Sequence, residues 1–162
     1  MNGSDFLVYG TCVALGGRAA ILQGPSGSGK SDLALRFLTM PVNLEVFSGT
    51  GDEAAGRPML VSDDQVIVRS AGGRLLVRPP GAIAGKLEVR GLGVIDAAYR
   101  AEAELALIVA LTAPENVPRI PAKARPVVML LGTPTPLIKL APFDASAPIK
   151  LRLALSRLGG AA

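Results

Sequence analysis

An eight-residue run, Gly24-Pro25-Ser26-Gly27-Ser28-Gly29-Lys30-Ser31, meets every fixed position of the pattern G-x-x-x-x-G-K-[ST]. When such a run links a strand to a helix it holds phosphates. Its glycines let backbone N–H groups converge on phosphate oxygens, and the helix N-terminus adds a favourable dipole. Lys30 would reach the β- and γ-phosphates, and Ser31 would offer its hydroxyl to Mg²⁺. All eight residues are therefore candidate ligands of a nucleoside triphosphate. A second candidate is Asp63-Asp64, delivered by the apolar run Met59-Leu60-Val61. Neighbouring residues of a regular strand face opposite sides. Either this strand end is irregular, or one Asp works and the other is structural. The third candidate is the pair Glu88 and Arg90, which would share one face of a strand and stand just before Gly91-Leu92-Gly93, where backbone can approach a ligand closely. They would supply a carboxylate on the metal side and a cation for phosphoryl charge. The chain has no histidine, so Ser/His/Asp triads, His-ligated zinc and imidazole bases are excluded. An Asp is then the natural acceptor of a proton from an attacking hydroxyl.

The elements that must position these residues are short. Phe6 to Leu15 and Arg18 to Leu22 read as strands joined by a Gly16-Gly17 hairpin of type I′. The second runs directly into the Gly24 loop. A helix is predicted from Asp32 to Met40 by Leu33, Phe37 and Leu38, with Pro41 ending it. Val42 to Pro58 reads as a surface loop, rich in turn residues over Ser48 to Glu53. Val66 and Val68, then Leu75 and Val77, flank an Ala71-Gly72-Gly73 turn as a second hairpin. Ile83 to Leu87 is read as one helical turn, and Glu88 to Ile95 as a strand broken by two glycines. Leu105–Leu111 and Val127–Leu131 have the near-continuous apolar character of strands buried on both faces, with a proline-spaced connector between them. Thr135 to Leu140 is a further strand, and Ala147 to Leu158 a closing amphipathic helix ending at Gly159-Gly160. Arg36, Arg100, Arg152 and Arg157 are read as solvating the surface. A mixed sheet is expected rather than a doubly wound one, in a single domain spanning residues 1–162.

Of the 162 residues, 49% are hydrophobic and only 4% aromatic, with no Trp, so the core must be aliphatic. That hydrophobicity, with a net charge of +4, excludes a disordered chain. The 17 Lys and Arg are spread along the chain and do not indicate nucleic acid. No window approaches the ~18 uninterrupted apolar residues of a membrane span, and Met1 to Phe6 lacks a basic leader, so a cytoplasmic protein is expected. Its one cysteine, Cys12, stands in an apolar strand and reads as buried packing rather than a nucleophile.

Three segments taken in order, Gly24 to Ser31, Leu60-Val-Ser-Asp-Asp64 and Leu87-Glu-Val-Arg-Gly-Leu-Gly-Val94, resemble HPr kinase/phosphorylase. The last looks like that family's signature stretch, which is more specific than a P-loop. The resemblance runs from about Val8 to the end of the chain, which lacks the N-terminal domain of the long members and in this looks like the short alphaproteobacterial form. It implies an α/β P-loop core with a mixed sheet and β-hairpins, related to phosphoenolpyruvate carboxykinase and assembled as a hexamer. It implies ATP-dependent phosphorylation of a serine on HPr or an HPr-like phosphocarrier protein, and the reverse attack of inorganic phosphate on the phosphoserine to give pyrophosphate. Lys30 and Ser31 then become phosphate and magnesium ligands, Glu88 a further metal-side carboxylate, and Asp64 the base toward the serine, with Asp63 beside it. Arg90 falls on the signature arginine. The family's usual His-Gly before the P-loop is Tyr9-Gly10 here. The alternatives are a nucleotide-binding regulatory module with little turnover and a small-molecule kinase; no Arg-rich lid segment supports the latter.

Overall fold

The computed structural model of the chain describes residues 4–48 and 56–158. Its strands are β1 (Phe6–Tyr9), β2 (Thr11–Leu15), β3 (Arg18–Gln23), β4 (Pro58–Ser62), β5 (Gln65–Ala71), β6 (Arg74–Arg78), β7 (Lys86–Val89), β8 (Gly93–Asp96), β9 (Ala103–Leu111), β10 (Val127–Leu130) and β11 (Thr133–Leu140). Two helices, α1 (Lys30–Thr39) and α2 (Ala147–Leu158), complete it. Nine strands form one curled sheet in the order β1-β5-β6-β9-β3-β2-β4, with β11 also on β9 and β10 on β11. β9 runs parallel to β3 and β11, and the other pairings in this sheet are antiparallel. The expected mixed sheet is therefore present.

Period-two alternation sorts the core into two layers. From the central strands, Val13, Leu15, Ala20 and Leu22 face the helices and meet Leu33 and Phe37 of α1 and Leu151 and Leu155 of α2. Their neighbours Cys12, Ala14, Ala19 and Ile21 face the other way, against Val66, Val68, Leu75 and Val77 of β5 and β6. The sheet curls to cover its own second face, which lets short strands bury both sides with only two helices. Burial of each large aliphatic side chain contributes about 1.5–3 kcal/mol, so aliphatic residues suffice for the core.

The β2–β3 hairpin has Gly16 at φ 61, but Gly17 has no positive φ, so the I′ pattern belongs instead to the β5–β6 turn, with Gly72 at 57 and Gly73 at 77. Helix α1 begins at Lys30 rather than Asp32, because Gly29 serves as its N-cap. The helical turn expected over Ile83–Leu87 is displaced to a 3-10 turn at Gly81–Ile83, and Lys86 and Leu87 are already in β7. Glu88 to Ile95 is not one strand: β7 and β8 pair antiparallel as a hairpin, with Arg90 in its turn. The predicted loop after α1 holds a 3-10 turn at Leu44–Val46 that buries Leu44; residues 49–55, and the Gly159-Gly160 helix end, lie outside the described residues. β10 is not buried on both faces, since Val127 and Met129 are exposed.

Two of the arginines assigned to the surface have internal work. Arg152 of α2 is only 6% exposed, its guanidinium lies 5.4 Å from the Phe37 ring, and it donates to the carbonyls of Phe37 and Met40. It thus supplies donors to the orphan carbonyls at the C-terminus of α1, and burial lowers its pKa. Arg152→Met keeps the stem packed and removes the donors; urea unfolding should show a loss on the order of 2 kcal/mol. Arg36 is held across α1 by Asp32 and donates to the carbonyls of Pro142 and Asp144. Arg157 is exposed, as expected, and reaches the Ser48 carbonyl.

Candidate functional site

The β3–Gly24 loop–α1 junction is where the motif chemistry requires it, between the end of a parallel-paired strand and the start of a helix. The loop is closed by the Ser28 N–H on the Pro25 carbonyl at 3.0 Å. Gly29 at φ 95 turns the chain into the helix, a conformation that a side chain would strain. Lys30 Nζ donates to the loop carbonyls of Gly24 at 2.7 Å and Pro25 at 3.0 Å. Its ammonium therefore lies over the concave side of the loop.

Asp63 ties the site together. It is 8% exposed; its Oδ1 accepts from Ser31 Oγ at 2.9 Å and from Thr11 Oγ1 at 2.8 Å, and its Oδ2 accepts the Glu88 N–H at 3.0 Å. One carboxylate thus joins β2, α1 and β7. Thr11 was missed in the sequence, because a lone Thr at a strand start has no local signature and its partner is 52 residues away. Asp64 is exposed and adopts φ 68, while its carbonyl accepts the Gly10 N–H at 2.9 Å. Of the two alternatives for the Asp pair, the structure shows the irregular strand end; the two carboxylates differ in setting, Asp63 buried with three hydrogen bonds and Asp64 exposed on the cavity.

Tyr9, Gly10, Thr11, the motif residues Gly24, Ser26, Gly27, Gly29, Lys30 and Ser31, and Asp63, Asp64, Glu88 and Arg90 all line one cavity of about 560 Å³. Asp32, Leu35, Val89 and Phe143 line it too; sequence reading did not find them. Pro25 and Ser28 do not line it. Ser28 packs against Gly24, where an added Cβ would stand 2.5 Å from its Oγ. Glu88 and Arg90 reach the cavity without sharing a strand face, because Arg90 follows the end of β7. Tyr9 is 68% exposed. Gly10 has a spatial role: a Cβ there would lie 2.6 Å from the Leu22 carbonyl oxygen. Cys12 is fully buried and burial raises its thiol pKa, which removes it as a nucleophile.

Among the described residues no group of three or more His, Cys, Asp or Glu converges as a metal cage. What the cavity offers is hard oxygen: the Ser31 hydroxyl bound to Asp63, and Glu88 on the same wall. That donor set fits Mg²⁺, which takes one or two carboxylates and completes its shell with waters and substrate phosphates.

A curled mixed sheet, with a glycine-rich strand-to-helix loop and two acids on one cavity, defines an α/β protein. No model of a known protein family matches the chain. In sequence it is similar to HPr kinase/phosphorylases: 34% identical over 89 residues to that of Clostridium beijerinckii, and 33% identical over 89 residues to those of Clostridium tetani and Mycoplasmopsis pulmonis. The matched stretch is 55% of this chain and 24% of each of those relatives. In fold it is similar to the HPr(Ser) kinase/phosphatase of Coxiella burnetii, with a TM-score of 0.70 at 19% identity over 91% of both chains. The resemblance to HPr kinase/phosphorylase carried by the three motifs is borne out by these relatives, which are named for phosphoryl transfer. No helix among the described residues is long and apolar enough to cross a membrane.

Proposed function

We propose that this chain transfers the γ-phosphoryl group of ATP, with Mg²⁺, to a serine hydroxyl of HPr or an HPr-like phosphocarrier protein. The observation that carries this reading is the pair of differently engaged acids facing the Gly24–Ser31 loop across one cavity. The sequence likeness to HPr kinase/phosphorylases supplies the acceptor. In this reading the loop N–H groups and the α1 N-terminus hold the phosphates, and Lys30 exchanges its loop carbonyls for phosphate oxygens. Ser31, Asp63 and Glu88 would hold Mg²⁺, which neutralises phosphate charge when bound. Asp63 fixes the Ser31 hydroxyl in place.

Asp64 takes the proton of the attacking serine hydroxyl as the new O–P bond forms and the bond to the departing ADP breaks. Arg90 lies on the cavity wall to meet charge on the transferred phosphoryl group. The reverse direction has inorganic phosphate attack the phosphoserine, with Asp64 returning the proton to the serine oxygen and pyrophosphate as product. There two anions must be held together, and Tyr9 offers a neutral phenol where an imidazolium would relieve their repulsion more. The same reading includes a P-loop core related to phosphoenolpyruvate carboxykinase, a single kinase domain, a hexameric assembly and action in the cytoplasm, without nucleic acid or membrane as partner.

Incubation with Mg-ATP and HPr-like proteins, read by intact mass, should add one phosphoryl group to the acceptor, at a serine located by fragmentation. Adding inorganic phosphate and removing ATP should reverse the modification more slowly than it formed. Nucleotide binding without any acceptor modification would overturn the kinase reading in favour of a regulatory nucleotide-binding module.

A further inference from the structure

The acids, Glu88 and Arg90 account for the cavity around Ser31, but not for the aromatic ring placed on the glycine loop itself. Phe143 is 70% exposed and lines the cavity. A Cβ added to Gly29 would stand 3.0 Å from its Cε1 and Cζ, so the ring lies directly against the residue that opens α1. An exposed phenyl ring gains nothing from water, yet the backbone that carries it is firmly held. Ala141 and Pro142 on its N-terminal side are buried. The Asp144 N–H closes the turn on the Ala141 carbonyl at 3.3 Å, and the Ala147 N–H donates to the Asp144 carbonyl at 3.0 Å. Arg36 reaches from α1 to the carbonyls of both Pro142 and Asp144, the two residues that flank Phe143, and is itself anchored by Asp32 at 3.0 Å. The helix that begins at the phosphate loop thus clamps both sides of the aromatic residue.

A nucleoside triphosphate needs two kinds of wall: donors for its phosphates and a flat apolar face for its base. Two aromatic side chains line this cavity, Tyr9 and Phe143. Tyr9 immediately precedes Gly10, whose N–H is bonded to the Asp64 carbonyl, so it belongs to the acid end where the acceptor must enter. Phe143 belongs to the loop and the start of α1, against Gly29. We propose that Phe143 is the stacking platform for the purine base of the bound nucleotide, held over the glycine loop by the Arg36 clamp.

This inference rests on the reading of Gly24–Ser31 as a phosphate cradle, and two ligands separate its failure from that of the cradle. Calorimetric titrations of the intact chain with Mg-ATP and with Mg-tripolyphosphate, which has the phosphates and no base, are compared across wild type, Phe143→Ala and Phe143→Tyr. Loss of a base-stacking ring weakens binding roughly 10- to 100-fold in comparable sites. Phe143→Ala should show that loss for ATP and none for tripolyphosphate, while Phe143→Tyr stays within about twofold of wild type for both, since it keeps the ring face. An equal loss for both ligands, or no loss for ATP, overturns the assignment and leaves the cradle standing. Wild type that binds neither ligand overturns both.

Discussion

Lys30→Ala should lose Mg-ATP binding by a factor on the order of 10² or more in a calorimetric titration, with an unchanged unfolding transition. The expected size follows from removing a charged donor from two phosphate oxygens, each such bond contributing about 1.5–3 kcal/mol. The fold is expected to survive for a local reason. Lys30 is the first residue of α1, where Ala is the best helix former, and the carbonyls it now contacts belong to Gly24 and to the exposed Pro25, within reach of water. Loss of binding therefore reports the ammonium and not a collapsed loop. Unchanged affinity would mean that the motif meets the phosphate pattern by chance and that the cavity takes some other ligand.

Lys30 and its loop were legible because their chemistry is local. Consecutive residues set the backbone path, and the flanking strand and helix were readable from apolar spacing. The same holds for the second helix, which heptad-like Leu151, Leu155 and Leu158 mark and which starts at Ala147 as expected. What the sequence hid is long-range. Thr11, Ser31 and Glu88 meet on Asp63 through contacts between residues 25 to 52 apart, which no spacing rule encodes. Arg152 looks like any arginine on an amphipathic helix, and only the packing of α2 against α1 turns it inward onto Phe37. Phe143 has no local signature, because its meaning lies in the arginine that holds its neighbours, 107 positions earlier in the chain. The misread hairpin over Glu88–Ile95 has a different cause. Glycine at φ 90 in Gly91 and 93 in Gly93 permits both a kinked strand and a reversal, and the choice is made by β8 pairing back on β7.

Asp64→Asn should leave Mg-ATP affinity within about twofold of wild type and reduce transfer to the acceptor by about 10²–10⁴-fold, the range that a positioned acid–base group contributes. The substitution suits this position in particular. Asp64 sits at φ 68, a left-handed conformation that Asn, like Asp, adopts more readily than Ala does. The Gly10 N–H bonds the Asp64 backbone carbonyl, which the substitution preserves. The amide therefore keeps the shape and the turn and loses only the ability to accept the serine proton. Asp64→Ala would mix that loss with backbone strain and is the poorer experiment. Asp63→Asn should behave in the opposite sense. Its two oxygens accept from Thr11, Ser31 and the Glu88 N–H; an amide oxygen can keep the Glu88 N–H, but an NH₂ in place of Oδ1 turns the Thr11 and Ser31 hydroxyls from donors into acceptors. That exchanges charge-assisted hydrogen bonds for neutral ones, at a cost of about 1–3 kcal/mol, and engages a lone pair of the Ser31 oxygen that would otherwise face Mg²⁺. Stability and Mg-dependent nucleotide affinity should fall together in Asp63→Asn, with both intact in Asp64→Asn. Single-turnover transfer to a verified acceptor, measured beside ATP titration and urea unfolding, separates the two carboxylates. Near wild-type transfer in Asp64→Asn would remove it as the base, and a stable, tightly binding Asp63→Asn would remove the claim that its three hydrogen bonds organise the metal side of the site.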